Sequence, residues 1–241
     1  MKAMFFSGGY DSTYLLDKLM KEEKELTIVS IDTIVVGPTK RDRENLARKR
    51  ILDYLKAKYY NCHLEENVVK LDLSGVRFGN SGGLNQDLFW MPLMMITCRS
   101  YEDIELNLSY ICNDQSRVHM DDFRDVARAV SHYRDNNIQL RFPLAYKRKY
   151  DILEELIMND KFLFENATAC ENLGELDFCG SCEKCHEIKS ALISIMERRY
   201  NIPGLYDYIK DFLKNKFGLT VKVERYKKEE YDLKIDKEEE K

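Results

Sequence analysis

The sequence predicts an α/β protein: a parallel five-stranded sheet with helices on both faces, followed by a cysteine-bearing helical extension. Three observations carry this. Apolar, β-branched runs alternate with helix-period segments from the first residues onward, the pattern of repeated strand–helix–strand units. The run Leu26–Asp32, LTIVSID, is apolar without alternation, as a strand buried on both faces requires. Four of the seven cysteines crowd between Cys170 and Cys185, beyond the last predicted strand.

Taken in order, Ala3–Phe6 is a short buried strand. Asp11–Met20 has helical spacing, with Tyr14, Leu15, Leu19 and Met20 on neighbouring faces. LTIVSID is the second strand. Arg43–Lys58 is a charged amphipathic helix with Leu46, Ile51, Leu52 and Leu55 along its stripe, and Asn67–Leu73 is the third strand. Val76–Asp87, VRFGNSGGLNQD, is a glycine- and asparagine-rich loop, and its Phe78–Gly83 part lies where a loop covering a substrate would fall. Trp90–Ser100 is a helix with Pro92 in its first turn. Leu106–Cys112 is the fourth strand, Asp121–Asp135 a helix, Gln139–Leu144 the fifth strand and Arg148–Met158 a helix. A helix over Glu187–Tyr200 and a further helical stretch beyond Pro203 follow, and the mixed-charge end KKEEYDLKIDKEEEK reads as a solvated tail. The alternation amounts to a Rossmann-like sheet.

Composition narrows the function classes. Hydrophobic residues are 44% and charged residues 33% of the 241, ordinary for a globular protein. The net charge of -4 provides no overall basic footprint, so charge does not indicate a nucleic-acid or protein acceptor. No apolar run approaches the roughly 20 residues that span a bilayer. The N-terminus lacks the apolar stretch of a signal peptide, so the cytoplasm is the expected location and no membrane is expected as a partner. An odd number of cysteines fits thiols or metal ligands better than a disulfide framework.

The segment Phe5–Thr13, FFSGGYDST, places two glycines, which cost backbone entropy, between a strand and a helix. A bound phosphate offsets that cost. Gly8 and Gly9 admit a phosphate close to the backbone, successive amides form an anion-binding nest, and the helix N-terminus adds positive potential. Ser7 and Ser12 add hydroxyl donors. Asp11 is awkward beside a bare anion but suits a magnesium ion that accompanies the phosphates. A plain capped turn is the simpler reading of an isolated Gly-Gly pair. The repeating βα context favours the phosphate loop, and no Gly-Lys-Ser/Thr follows to make it a Walker loop.

SGGYDS resembles the SGGxDS signature of the PP-loop ATP pyrophosphatase superfamily. The resemblance implies an α/β sheet and cleavage of ATP between its α and β phosphates. An oxygen is activated as an adenylate, and a nitrogen or sulfur nucleophile then displaces AMP.

Cys170, Cys179, Cys182 and Cys185 are spaced C-x8-C-x2-C-x2-C. Two overlapping CxxC steps bring three thiolates to one ion and Cys170 can return as the fourth, the set of a closed structural Zn2+ site. An iron–sulfur cluster uses the same ligands. A redox dithiol does not need four cysteines. His186 more naturally starts the following helix than replaces a thiolate.

This cluster after a PP-loop domain resembles QueC-type 7-cyano-7-deazaguanine synthases, from Ala3 to about Arg199. Asp32 ends the strand that in that family closes near the adenine pocket. Pro143-Leu144 with Lys149 resembles the family's P-L-x-x-x-x-K step, where a lysine begins a helix facing ATP, and Ala167-Thr168-Ala169-Cys170 resembles its approach to the first zinc cysteine. The resemblance implies an ATP-dependent C–N ligase that uses ATP, Mg2+ and Zn2+, converts 7-carboxy-7-deazaguanine or an analogue to the amide or nitrile with ammonia, and forms a homodimer. It implies catalytic roles for Asp11, Ser12 and Lys149, ATP contacts at Ser7, Gly8, Gly9, Asp11, Ser12 and Asp32, and metal ligation by Cys170, Cys179, Cys182 and Cys185. The corresponding layout is a PP-loop domain over 1–160, a zinc-binding helical region with the four cysteines over 161–225 and a charged tail over 226–241.

Two segments depart from that family. Its P-A-R-N-like stretch is replaced by Trp90-Met91-Pro92-Leu93-Met94-Met95, and its G-x-N-x-x-D-like strand end by Cys112-Asn113-Asp114-Gln115. Lost polar contacts to a purine analogue cost about 1–3 kcal/mol each. Either Met94 and Met95 are ordinary core, or the acceptor differs, as in diverged QueC-like proteins of phage or antiphage defence systems. A tRNA thiolase would want a pair of cysteines outside the cluster, for which Cys98 and Cys112 carry no motif. A non-catalytic nucleotide-binding adaptor would not need Ser7, Asp11, Ser12 and Lys149 together. Arg117, His119 and Arg124 are candidate substrate contacts or plain surface.

Overall fold

Strands β1 (Lys2–Phe5), β2 (Glu25–Thr33), β3 (His63–Leu71), β4 (Asp103–Asn107) and β5 (Asn137–Arg141) form one sheet in the order β3-β2-β1-β4-β5. Every pairing is parallel. The computed structural model describes residues 1–33, 38–71, 92, 93, 95, 97, 102–112, 119–170, 178–199 and 201–221. The described helices are α1 (Tyr10–Glu22), α2 (Pro38–Lys58), α3 (Met120–Arg134), α4 (Lys149–Asn159), α5 (Lys161–Asn166), α6 (Glu183–Arg198) and α7 (Leu205–Phe217). The expected Rossmann-like α/β sheet is therefore present.

The winding direction sorts the helices. Right-handed crossovers from β1 to β2 and from β2 to β3 put α1 and α2 on one face; the crossover from β4 to β5 runs the other way and puts α3 on the opposite face. On the first face α1 packs against α2, α4 and α5. On the second, Phe123 and Ala127 of α3 close over Ala3, Val29, Ile104, Leu106 and Ile138, with Met95 in the same cluster. Met95 is thus core, as one of the two sequence readings has it; Met94 lies outside the described residues.

Several boundaries differ from the sequence expectation, each for a physical reason. β4 lies earlier than Leu106–Cys112. Its last pair is Met4 with Asn107, because β1 then leaves the sheet for the glycine loop. Leu108 and Ile111 beyond it are buried, so their apolar pattern reports burial rather than pairing. β5 ends at Arg141, since Pro143 cannot donate to a ladder and the chain turns there. β3 begins as early as His63 and pairs along all of β2. Glu65 and Glu66 disguise it, as charges on an edge strand do. α2 starts at Pro38, a residue suited to a first helical turn. The short helix α5 is absent from the sequence expectation; Asp160 caps it by accepting from the Leu163 N–H at 3.2 Å.

A charged knot fastens the first face. Lys58 Nζ donates to Asp17 and Asp160, each at 2.8 Å, while Tyr54 and Tyr59 hydroxyls donate to Asp160 and Asp17, each at 2.9 Å. This joins α1, α2 and the start of α5. Burial alone would raise the Asp160 carboxyl pKa, but Lys58, Tyr54 and the Leu163 amide outweigh it and hold it below its ordinary 3.8.

The chain divides into two compact units, Met1–Leu192 and Ile193–Lys241. In the second, α7 buries Leu205, Ile209, Phe212 and Leu213 and ends at Gly218, whose φ of 65° is left-handed. Among the described residues no helix is long and apolar enough to cross a membrane.

Asp160→Asn keeps a capping oxygen but removes the charge. The parent's contribution is complete above the ordinary value of 3.8 and drains as pH falls below it towards the depressed folded value. Urea unfolding from about pH 7 to about pH 3 should show the variant less stable at neutral pH and less sensitive to acid. Equal acid sensitivity of the two proteins would remove Asp160 from this account.

Candidate functional site

Strand order reverses between β1 and β4, and in open α/β sheets the crevice beyond the carboxyl ends at such a reversal receives ligands. The loop after β1 opens into that crevice. Gly8 has φ +81°, a conformation that strains any L side chain, and a Cβ there would stand 2.9 Å from Arg48 Cγ. A Cβ on Gly9 would stand 3.3 Å from Ser7 Oγ and 3.4 Å from the Thr168 carbonyl oxygen. Gly8 is the position that requires a glycine; a side chain on Gly9 would need its neighbours to give by only a few tenths of an ångström.

Ser7 and Ser12 face each other across the loop, hydroxyl to hydroxyl at 3.0 Å. The Ser12 hydroxyl also donates to the Gly9 carbonyl at 3.1 Å and accepts from the Ser7 amide at 3.3 Å. The N-cap of α1 is Gly9, with no side-chain cap, and the first intrahelical bond runs from the Thr13 amide to Gly9. The amides of Tyr10, Asp11 and Ser12 are therefore the first-turn donors that have no partner within the helix. Donors arranged so favour an anion.

Lys149 enters from 138 residues away. The turn after β5 is pinned where the Cys112 amide donates to the Lys147 carbonyl at 2.9 Å, and α4 begins at Lys149. Its Nζ donates to Asp11 Oδ2 at 2.5 Å, with the Lys149 side chain only 7% exposed and Asp11 21%. The second oxygen, Asp11 Oδ1, is buried and has no hydrogen-bond partner among the described residues. A second carboxylate, Glu187 of α6, lies 3.9 Å from the same Nζ. Ser7, Gly8, Gly9, Asp11, Ser12 and Lys149 thus share one end of the sheet.

Asp32 is placed differently. It is buried at the end of β2, and its carboxylate takes two bonds from Arg41, at 2.5 and 2.7 Å, and one from Asn45 at 3.4 Å. Arg41 first, then Asn45, overcome burial and hold its pKa below the usual carboxylate range. Arg48 continues the network, donating to Asn45 and, at 3.2 Å, to the Ile31 carbonyl. Sequence reasoning does not find Arg48, although Arg41, Asn45 and Arg48 follow the spacing of one helix face. It supports the loop from beneath Gly8.

Cys170, Cys179, Cys182 and Cys185 are free thiols whose Sγ atoms all lie within 4.8 Å of one another. A tetrahedral ion with Zn–S bonds of about 2.3 Å spaces its sulfurs about 3.8 Å apart. Cys179 and Cys185 sulfurs stand 3.9 Å apart. The four sulfurs are close enough together to hold a metal ion. Amides of Ser181 and Cys182 donate to Cys179 Sγ at 3.4 and 3.3 Å, and the Cys179 amide donates to Cys170 Sγ at 3.2 Å. Burial alone would raise the Cys179 pKa, but the Ser181 hydroxyl and these amides outweigh it and lower it to about 5, which favours the thiolate a metal requires. Gly180, with φ +72°, makes the knuckle turn, and Lys189 Nζ ties it to α6 at 2.6 Å from the Gly180 carbonyl. Two residues before Cys170, the Thr168 amide donates to the Gly8 carbonyl at 3.0 Å, which joins the cysteine segment to the loop.

His119 pairs with Asp122 and Arg124 with Asp121, contacts of neighbouring residues on α3. Phe78–Gly83, Cys98, Asn113–Gln115 and Arg117 lie outside the described residues.

No family model matches this chain, and no curated protein does. Among solved structures it is similar to the U34-tRNA thiolase NcsA from Methanococcus maripaludis with its 4Fe-4S cluster, at 13% identity and a TM-score of 0.45, covering 94% of this chain and 78% of that one. It is also similar to a predicted subunit of tRNA methyltransferase from Methanocaldococcus jannaschii, at 17% identity and a TM-score of 0.36, covering 86% of this chain and 91% of that one. The fold assignment rests on the sheet topology itself.

Gly8→Ala forces a Cβ into a left-handed residue against Arg48. The expected cost is about 1–3 kcal/mol in urea unfolding. A variant as stable as the parent would show that the loop relaxes freely and is not held by its neighbours.

Proposed function

We propose that this chain is an ATP-using enzyme of the PP-loop type, with the nucleotide phosphates on the Ser7–Ser12 loop. The observation that supports it most directly is the pairing of buried Lys149 with Asp11, whose other oxygen is left without a partner. A merely structural ion pair leaves no reason for a buried carboxylate oxygen without a hydrogen-bond partner among the described residues. Asp11 is suited to magnesium, which neutralises phosphate charge when bound. Lys149 and the loop hydroxyls then stabilise charge that grows on the phosphates as the α–β bond breaks. Most of the rate comes from positioning and charge neutralisation.

The fuller reading is QueC-like. A carboxylate oxygen of 7-carboxy-7-deazaguanine, or an analogue, attacks the α-phosphorus and pyrophosphate leaves. Ammonia attacks the resulting acyl adenylate, AMP leaves, and loss of a proton produces the amide. The amide oxygen then attacks the α-phosphorus of a second ATP, pyrophosphate and one amide proton leave, and loss of AMP with the second proton yields the nitrile. The sequence resemblance supports this acceptor. Cys170, Cys179, Cys182 and Cys185 hold zinc in a closed site that braces the loop through Thr168. A homodimer in the cytoplasm belongs to the same reading.

The deciding assay combines the protein with ATP, magnesium, ammonium and 7-carboxy-7-deazaguanine, and reads the products by mass spectrometry. Amide or nitrile formed with AMP supports the QueC-like reaction. ATP cleavage without either product keeps the ATP-using enzyme and removes that acceptor. Asp11→Ala should abolish AMP formation while the fold and the metal content are retained, and Lys149→Ala should slow it about 10²–10³-fold. Normal turnover in either variant would overturn the assigned roles. Cys182→Ser should lose both metal and stability, because metal binding and folding are linked. Elemental analysis should find one zinc per chain, and a stable, metal-free variant would remove the structural role.

A further inference from the structure

Glu187 has no part in the account so far, yet it is the second carboxylate beside Lys149. Its Oε2 lies 3.9 Å from Lys149 Nζ and 4.0 Å from Lys184 Nζ, and its side chain is 23% exposed. Both separations exceed hydrogen-bond length, so Glu187 sits near two cations without closing on either. Lys149 meanwhile is nearly buried and bonded to Asp11 at 2.5 Å. A buried ammonium requires a counter-charge in every state the site adopts, since leaving it unpaired costs several kcal/mol.

We infer that Glu187 is a positioning residue that takes over Lys149 when magnesium and nucleotide draw Asp11 away. This rests on the reading of the Ser7–Ser12 loop as an ATP site. In the ligand-free arrangement Lys149 and a cation compete for one carboxylate, Asp11. Lys149 then faces the phosphates it stabilises, and Glu187 is the carboxylate of the protein already in place to keep it positioned there. Among the described residues, Asp11 and Glu187 are the carboxylates recorded within ion-pair distance of its Nζ. A small movement of a four-carbon side chain closes the gap.

The cysteine knuckle determines where Glu187 stands. It lies two residues after Cys185, on α6, whose first turn carries that thiol. Lys189 of the same helix holds the Gly180 carbonyl of the knuckle at 2.6 Å. The helix cannot slide without disturbing the cysteine ring. The knuckle thereby supplies the ATP site with a fixed negative charge as well as a wall.

Glu187→Gln preserves size and removes the charge. Metal content and melting are checked first, and binding of ATP is then measured by titration calorimetry, with α,β-methylene-ATP as the uncleaved probe, with and without magnesium. The expected result is a roughly tenfold weaker magnesium–nucleotide affinity in the variant, and equal affinities for the nucleotide alone. That pattern is specific to a hand-over from Asp11; a general structural or charge effect would shift both conditions alike. Equal magnesium–nucleotide affinities, or equal losses with and without magnesium, would overturn the inference and leave the ATP site standing. A parent that binds nucleotide in neither condition would remove the ATP-site reading and this inference with it. If Glu187→Gln fails to fold, Glu187→Ala, which a helix tolerates well, is read by the same pattern.

Discussion

A lysine ammonium taken out of water governs the arrangement of this site. Lys149 cannot be buried unless carboxylates meet it, and removing one partner of such a pair typically costs about 3–5 kcal/mol. Asp11 comes from the first turn of α1, Lys149 from the first turn of α4, and Glu187 from the helix that follows the cysteine ring. Three distant parts of the chain are thereby held to one another by electrostatics. The apolar sheet brings them near, and the charge requirement sets their final spacing.

The loop and the cysteine ring behave as one construction. Gly8 is strained for any side chain, it rests on Arg48, and its carbonyl is held by Thr168. Thr168 leads directly into Cys170. A metal that closes the cysteine ring therefore also restrains the segment that steadies the loop. This links metal binding, which contributes folding energy, to the geometry of the loop. The polar face of α2 completes the support from the other side, where Arg41, Asp32, Asn45 and Arg48 are joined in one hydrogen-bonded network.

Much of this is legible in the sequence because it depends on local chemistry. FFSGGYDST shows its turn through its adjacent glycines. LTIVSID shows a buried strand, and the cysteine spacing shows a metal ring whose four sulfurs do come together. The P-L-x-x-x-x-K step places Lys149 at a helix start, where α4 begins. The misplaced strand boundaries have two sources. Glutamates hide the beginning of β3, and β4 and β5 look longer than they are because Leu108, Ile111 and Leu144 are buried beyond the ladder. Periodicity reports which residues are buried; it does not say where a neighbouring strand stops.

The sequence by itself determined the alternation of strands and helices, the glycine turn ahead of α1 and the clustering of four cysteines, since each is encoded within about ten to twenty consecutive residues. Only the tertiary structure decided that Lys149 bonds to Asp11, that Asp32 is committed to Arg41, that Met95 is core and that Glu187 stands beside Lys149. These depend on strand order and helix packing. The same lysine, aspartate or methionine serves a surface, a core or a site according to what the fold sets opposite it.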